Sequence, residues 1–251
     1  MRIAAIQSDT IWESPPANFE RLAPRIAEAA AGGPGLVLLP EMFTTGFSMA
    51  PDRMAEPEGG PTEEFLREQA TAHGIYIGGS YPVATVSGAR PYNRFVLVGP
   101  KGETAFYDKI HPFGYGGESE HYAAGARTLT MEIDGLRCTA FICYDLRFGD
   151  RFWALARDTD AYLVVANWPA ERAPHWGTLL RARAIENLAY VVAVNRVGVG
   201  GGISYDGGSC VIDPFGETIA EAGDTETVLL ADLDPARVAT VRAHYPFLED
   251  R

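Results

Sequence analysis

What the chain has little of narrows its function first. Cysteine occurs only at Cys138, Cys143 and Cys210, which leaves no even-numbered disulfide framework of the secreted type. Those cysteines and the five histidines include no C-x2-C pair and no helical H-x-x-x-H, so a zinc site is not expected. No apolar run reaches about 18 residues, the length a membrane-spanning helix needs. The opening Met1-Arg2-Ile3-Ala4-Ala5-Ile6-Gln7 turns polar too soon for a secretory h-region. Positive charge is scarce as well: 21 Lys and Arg against 33 Asp and Glu give a net charge of −12. That balance argues against a nucleic-acid binder, which gathers cations to neutralise phosphates. It leaves room for local positive charge in a cleft that takes a small anionic ligand. Low-complexity segments, clear repeats and linkers are missing too, and the expected setting is reducing and cytoplasmic.

The 251 residues fit one large α/β domain spanning 1–251, with 47% apolar and 22% charged residues. Residues 2–7 read as a short strand. Residues 18–31 carry Phe19, Leu22, Ile26 and Ala30 at helical spacing, with Pro24 placed awkwardly inside. Leu36-Val37-Leu38-Leu39 has the unbroken apolar character of a strand buried on both faces, and it ends at Pro40-Glu41. Thr62 is the expected cap of a helix that Gly74 terminates. Residues 93–98 and 104–109 flank Gly99-Pro100-Lys101-Gly102 as a β-hairpin ending at Lys109. Further strands are expected at 136–143, 162–167 and 190–195, with helices from about 148 and over 175–189 between them. Short strands around Asp213-Pro214-Phe215-Gly216 and a last helix opened by Pro235 complete a layered α/β pattern.

Glu41, Lys109 and Cys143 each stand directly after an apolar strand, where ligands of open α/β sheets bind. Cys138 and Cys143 are five positions apart, so strand alternation places them on opposite faces. Taken alone, a cysteine after a strand reads as packing. Three stretches change that reading: Leu38-Leu39-Pro40-Glu41-Met42-Phe43, Tyr107-Asp108-Lys109-Ile110-His111-Pro112-Phe113 and Ile142-Cys143-Tyr144-Asp145-Leu146-Arg147-Phe148. With Val165-Ala166-Asn167-Trp168-Pro169 and Gly207-Gly208-Ser209 in support, the chain resembles the nitrilase (carbon–nitrogen hydrolase) superfamily over essentially its whole length.

The resemblance implies an αββα four-layer sandwich, usually paired as a homodimer, that needs no cofactor or metal. It implies Glu41 as general base, Lys109 as oxyanion stabiliser and Cys143 as nucleophile. It also implies a second glutamate at Glu118, with Glu120 as fallback. A free thiol has a pKa near ~8.5, so a carboxylate able to take its proton raises the reactive fraction. The backbone N–H of Tyr144, following the nucleophile, is the expected second oxyanion donor. Phe47, Phe113 and Trp168 are candidate apolar walls, and Arg172 a candidate partner for a substrate carboxylate.

Glu41-Met42-Phe43-Thr44-Thr45-Gly46-Phe47 and Cys143-Tyr144-Asp145-Leu146-Arg147-Phe148 look most like the omega-amidases, which act on omega-amides of dicarboxylic 2-oxo acids such as 2-oxoglutaramate and 2-oxosuccinamate. N-carbamoyl amino acid hydrolysis or another aliphatic amidase activity is the alternative within the class; a non-catalytic amide-binding scaffold is the alternative outside it. Nitrile hydrolysis is disfavoured because that branch carries Cys-Trp-Glu where this chain has Cys143-Tyr144-Asp145. A Cys–His hydrolase is disfavoured because no papain or caspase signature surrounds Cys143. His111, His121 and His175 are read as structural. Arg147, Arg181, Arg183 and Glu186 are read as members of buried ion pairs.

Overall fold

The computed structural model describes residues 1–85 and 88–250. The strands are β1 (Arg2–Gln7), β2 (Leu36–Leu38), β3 (Tyr76–Val83), β4 (Tyr92–Val98), β5 (Thr104–Asp108), β6 (Thr130–Ile133), β7 (Leu136–Ile142), β8 (Ala161–Ala166), β9 (Tyr190–Asn195), β10 (Val197–Gly200), β11 (Ile203–Asp206), β12 (Cys210–Ile212), β13 (Thr218–Glu221) and β14 (Thr227–Asp232). The α-helices are α1 (Pro15–Ala31), α2 (Pro51–Met54), α3 (Pro61–His73), α4 (Glu118–His121), α5 (Gly149–Leu155), α6 (Ala173–Asn187) and α7 (Pro235–His244).

Two six-stranded sheets, ordered β14-β1-β2-β3-β4-β5 and β13-β12-β9-β8-β7-β6, form the middle of the molecule. Each has a parallel centre, β1-β2-β3 in one and β7-β8-β9 in the other, flanked by antiparallel strands. Parallel strands bury both faces, which explains their almost unbroken apolar sequences. In the first sheet Ala4, Ile6, Val37 and Leu39 pack against Leu22 and Ile26 of α1 and Phe65 and Leu66 of α3. The alternate residues Ile3, Ala5, Leu36 and Leu38 belong to the core between the sheets. On the second sheet Phe141 stacks on Phe152 of α5 at 4.1 Å, and Trp176, Leu180 and Ala184 of α6 join the same core. The result is the mixed α/β sandwich with two large sheets that the sequence led us to expect.

Several boundaries differ from the sequence reading for local reasons. Helix α1 begins at Pro15 rather than at 18 and runs through Pro24. An interior proline costs a helix about 3 kcal/mol, and burying Leu22 and Ile26 returns about 1.5–3 kcal/mol each. Pro24 and Glu20, whose carbonyl loses its helical partner there, both lie on the exposed face of the helix, where that loss costs least. The cap of α3 is Gly60, not Thr62; Thr62 Oγ1 instead donates to Glu56 at 2.8 Å. Helix α6 starts two residues early, at Ala173. Among the described residues no helix is long and apolar enough to cross a membrane.

Candidate active site

Four strands of the two sheets end at one place. Glu41 lies three residues beyond β2, while Lys109, Cys143 and Asn167 directly follow β5, β7 and β8. Glu118 arrives from the loop after β5, as the first residue of the short helix α4. It is buried whereas Glu120 is exposed, so Glu118 is the acid that reaches this centre.

Lys109 Nζ lies 2.8 Å from Glu41 Oε1 and 2.8 Å from Glu118 Oε2, with all three side chains sealed from solvent. Burial alone would push the Lys109 ammonium down. Glu118 first and Glu41 next more than reverse this, and its pKa rises above the ordinary lysine value. Lys109 therefore stays a cation. Burial moves the Glu118 carboxyl the other way, upward; Lys109 opposes the shift, the charge on Glu41 adds to it, and the net direction is up.

Asn93 on β4 ties the two acids together, donating from Nδ2 to Glu41 Oε1 at 2.8 Å and to Glu118 Oε1 at 2.9 Å. Its own Oδ1 accepts from Ser80 Oγ at 2.9 Å, which fixes the amide's orientation. The remaining Glu41 oxygen accepts the Asn167 backbone N–H at 2.8 Å, and Asn167 Nδ2 donates to the Glu41 carbonyl at 2.6 Å. Phe113 N–H donates to Glu118 Oε2 at 2.5 Å. Asn93, Lys109 and Asn167 donate from a strand or a strand end, and Phe113 from the loop that leads into α4.

Cys143 sits where β7 breaks into a short 3-10 turn, with φ of +46°. A non-glycine residue there costs of order 1–3 kcal/mol and persists only when its surroundings impose it. Asp145 imposes it. Its fully buried carboxylate accepts Ile142 N–H at 3.0 Å, Tyr107 Oη at 2.7 Å and His111 N–H at 3.0 Å, and it contacts His111 Nδ1 at 2.8 Å. One acid thus locks the residue before the nucleophile to the segment following Lys109. His111, stacked on Phe148 at 3.6 Å, plays the structural part the sequence suggested. Burial, and then the hydrogen-bonded carboxylate of Glu41, push the Cys143 thiol well above the ordinary thiol value. That direction favours the neutral thiol beside the Glu41 carboxylate. The Tyr144 N–H stands in the first turn of the 3-10 segment, where no intrahelical acceptor exists.

Cys143 opens into a cavity of about 300 Å³. Phe47, Phe113, Tyr144, Trp168 and Arg172 all line it, so the residues proposed from sequence for the oxyanion donor and the walls share one space. The Arg172 guanidinium lies 5.2 Å from the Phe113 ring centre. Arg147 corrects the sequence reading: it also lines the cavity, lies 4.9 Å from the Trp168 ring centre, and meets His175 Nδ1 at 3.1 Å instead of an acid. Neither Arg147 nor Arg172 has a carboxylate partner among the described residues. Arg181 likewise is no buried ion pair, since it is exposed and bonds Thr218 Oγ1 at 3.1 Å. Arg183 does pair with Glu186 at 2.8 Å. Among the described residues no cluster of His, Cys, Asp or Glu could hold a metal ion.

Sequence reasoning missed Asn93, Asn167, Asp145 and the far wall, formed by Trp12, Gly200, Gly201 and Ile203. Asn93 had a signal, as a polar residue at the start of the apolar run Phe95-Val96-Leu97-Val98. Asn167 had another, ending a buried strand as Lys109 and Cys143 do.

The chain matches the carbon–nitrogen hydrolase family over residues 2–243. It is 40% identical to omega-amidase YafV of Yersinia enterocolitica, with 100% of this chain and 96% of that protein aligned. It is 32% identical to a 2-oxoglutaramate amidase of Bacillus subtilis, over 99% of this chain and 96% of that one. Among solved structures it is similar to XC1258 of Xanthomonas campestris, a CN-hydrolase superfamily protein with an arsenic adduct in its active site: TM-score 0.95, 41% identity, 100% and 97% coverage. It is also similar to an amidase from Nesterenkonia sp. AN1, solved as a double mutant with acrylamide: TM-score 0.87, 26% identity, 100% and 94% coverage. The chain belongs to the carbon–nitrogen hydrolase family. The chemistry its site has to perform is hydrolysis of a carbon–nitrogen bond other than a peptide bond.

Proposed function

We propose that this chain is an omega-amidase that hydrolyses the terminal carboxamide of a short 2-oxo dicarboxylic acid monoamide, with 2-oxoglutaramate and 2-oxosuccinamate as leading substrates. The observation that carries this reading is the Lys109 ammonium held at 2.8 Å from two sealed carboxylates, beside a thiol that opens into a cavity with two acid-free arginines. The names of the relatives from Yersinia and Bacillus support the substrate class.

In the proposed reaction Glu41 takes the Cys143 proton as sulfur adds to the carboxamide carbon. The carbonyl electron pair moves onto oxygen, where Lys109 Nζ and the Tyr144 N–H receive the charge. A placed donor of this kind lowers the barrier by about 3 kcal/mol. Glu41 returns the proton to nitrogen, the C–N bond breaks, and ammonia leaves a thioester on Cys143. Water then gives a proton to Glu41 and adds to the thioester carbon. The C–S bond breaks, the carboxylic acid departs, and sulfur regains its proton. Glu118 holds Lys109 in place throughout. Arg172 and Arg147 meet the substrate's far carboxylate, a charge-assisted contact that fixes register.

The reading includes a homodimer in a reducing compartment. Its support is an apolar surface of Ile185, Phe215 and Phe247, at 47%, 47% and 56% exposure, together with three buried free thiols. Light scattering of the purified protein tests the dimer.

Ammonia release from 2-oxoglutaramate, 2-oxosuccinamate, neutral aliphatic amides and N-carbamoyl amino acids, beside a Cys143→Ala control, tests the activity. The 2-oxo monoamides are expected to give the highest kcat/KM, and Cys143→Ala to abolish turnover with the fold kept. A higher kcat/KM for neutral amides or N-carbamoyl amino acids overturns the substrate class; undiminished turnover by Cys143→Ala overturns the nucleophile.

A further inference from the structure

The cavity has a side that the reaction does not use. Its floor is Cys143, only 9% exposed, while Trp12 on its wall is 37% exposed. Trp12 belongs to the loop after β1, remote in sequence from every strand end that carries the reacting groups.

The indole lies on a bed of three glycines from two separate segments. A Cβ at Gly46 would stand 3.0 Å from the ring, one at Gly200 3.3 Å, and one at Gly201 2.7 Å. Real Cβ atoms essentially never come within 3.0 Å of a neighbour, so Gly201 in particular can carry no side chain while the ring stays in place. Gly46 and Gly201 also adopt φ of +71° and +57°, which glycine tolerates without strain.

Arg196, a fully buried arginine, ties the Trp12 loop to the hairpin side of this bed. Its Nη2 donates to Asp9 Oδ1 at 2.7 Å and to the Thr10 carbonyl at 3.1 Å, on the Trp12 loop. Its Nε donates to the Val197 carbonyl at 3.1 Å, on the β10–β11 hairpin that carries Gly200 and Gly201. On the other side of the ring, Glu13 N–H bonds the Thr45 carbonyl at 2.8 Å. The backbone of Trp12 is therefore anchored before and behind, and its partly exposed ring packs on the glycines at the cavity wall.

We propose that Trp12 is a specificity-determining residue that sets the length of acyl chain the site accepts. With the carboxamide at Cys143 and the far carboxylate of a short substrate at Arg172 and Arg147, any further length of acyl chain extends outward to the indole. A short dicarboxylic monoamide fits within this limit; a longer chain must displace a ring packed on its glycine bed. The direction in which substrate lies is taken from the amidase reading above. The wall itself does not depend on it.

The experiment compares the full chain with Trp12→Ala and Trp12→Phe in two ways. One is turnover, as the ratio of kcat/KM for hexanamide to that for propionamide. The other needs no turnover: the rate at which N-hexyl against N-methyl iodoacetamide alkylates Cys143, forming a thioether as iodide leaves, followed by mass spectrometry. Contact with one poorly accommodated methylene changes selectivity by about 10-fold or more. Both ratios are expected to rise about tenfold in Trp12→Ala, and by a smaller factor in Trp12→Phe, which keeps a ring on the glycine bed. Ratios within twofold of wild type in folded Trp12→Ala overturn the proposal. If Trp12→Ala does not fold, an unmoved alkylation ratio in Trp12→Phe overturns it. Should the wild type release no ammonia from any amide, the amidase reading fails, and the alkylation ratio still decides the role of Trp12.

Discussion

Asp145 accepts the backbone N–H of Ile142 at 3.0 Å and so holds the strained turn on which Cys143 stands. The same carboxylate binds Tyr107 and His111 on either side of Lys109, so Cys143 and Lys109 share one anchor. Asp145→Asn replaces one acceptor oxygen by a donor and leaves a buried N–H unpaired, at a stability cost of about 1–3 kcal/mol. The expected result is a fall in kcat of about 100-fold with KM changed less than threefold, together with slower alkylation of Cys143. A variant that loses stability but keeps wild-type kcat would make Asp145 a purely structural residue.

Glu118 and Glu120 are two residues apart and differ in everything the site requires. Glu118→Gln removes a charge 2.8 Å from Lys109 and is expected to lower kcat at least ~100-fold. Glu120→Gln, altering an exposed side chain, is expected to stay within threefold of wild type. Steady-state ammonia release decides; the reverse ranking would move the second acid to position 120.

Arg172→Ala and Arg147→Ala separate the two arginines of the cavity. Loss of a charged hydrogen bond to a substrate carboxylate costs about 1.5–3 kcal/mol, or roughly 10- to 150-fold. KM for 2-oxoglutaramate is expected to rise by that factor while KM for propionamide moves less than threefold. An arginine whose removal affects both substrates equally does not meet the carboxylate.

Alkali should unfold the protein sooner than its carboxylates would suggest. Burial pushes the thiols of Cys138 and Cys210 up to about 12. A raised folded-state pKa contributes stability that is complete below the unfolded thiol value. That contribution is lost as pH climbs from there to about 12, because the unfolded chain releases protons that the folded one retains. Thermal melts from pH 7 to 11 are expected to show Tm falling above about pH 9, by roughly 2–4 °C per kcal/mol lost. Cys138→Ala should flatten the slope, and an unchanged slope would remove that thiol from the effect.

Much of the fold and the chemical centre was legible because it follows from short-range rules. Buried parallel strands have apolar sequences, and the residue that breaks each run marks a strand end; Glu41, Lys109 and Cys143 could be read this way. Arg147 was misread because an arginine after a nucleophile looks the same in sequence whether an acid or a cavity faces it. Trp12 was invisible for a related reason: its wall exists only when the loop after β1 meets the β10–β11 hairpin, about three-quarters of the chain away. Asp145 lies within the motif that was recognised, but its hydrogen bonds to Tyr107 and His111 cross between sheets, and no local pattern encodes that.

The sealing of Lys109 has a practical side. Lys101 and Lys109 are the two lysines of this chain, and only Lys101 is exposed. Lys101 lies in the turn before β5 and Lys109 at the strand's other end, about 17 Å away for a strand of that length. Amine-directed dyes, tethers and solid supports will therefore react with Lys101 and the N-terminal amine and pass over Lys109, allowing immobilisation through a surface turn with the reacting groups left untouched.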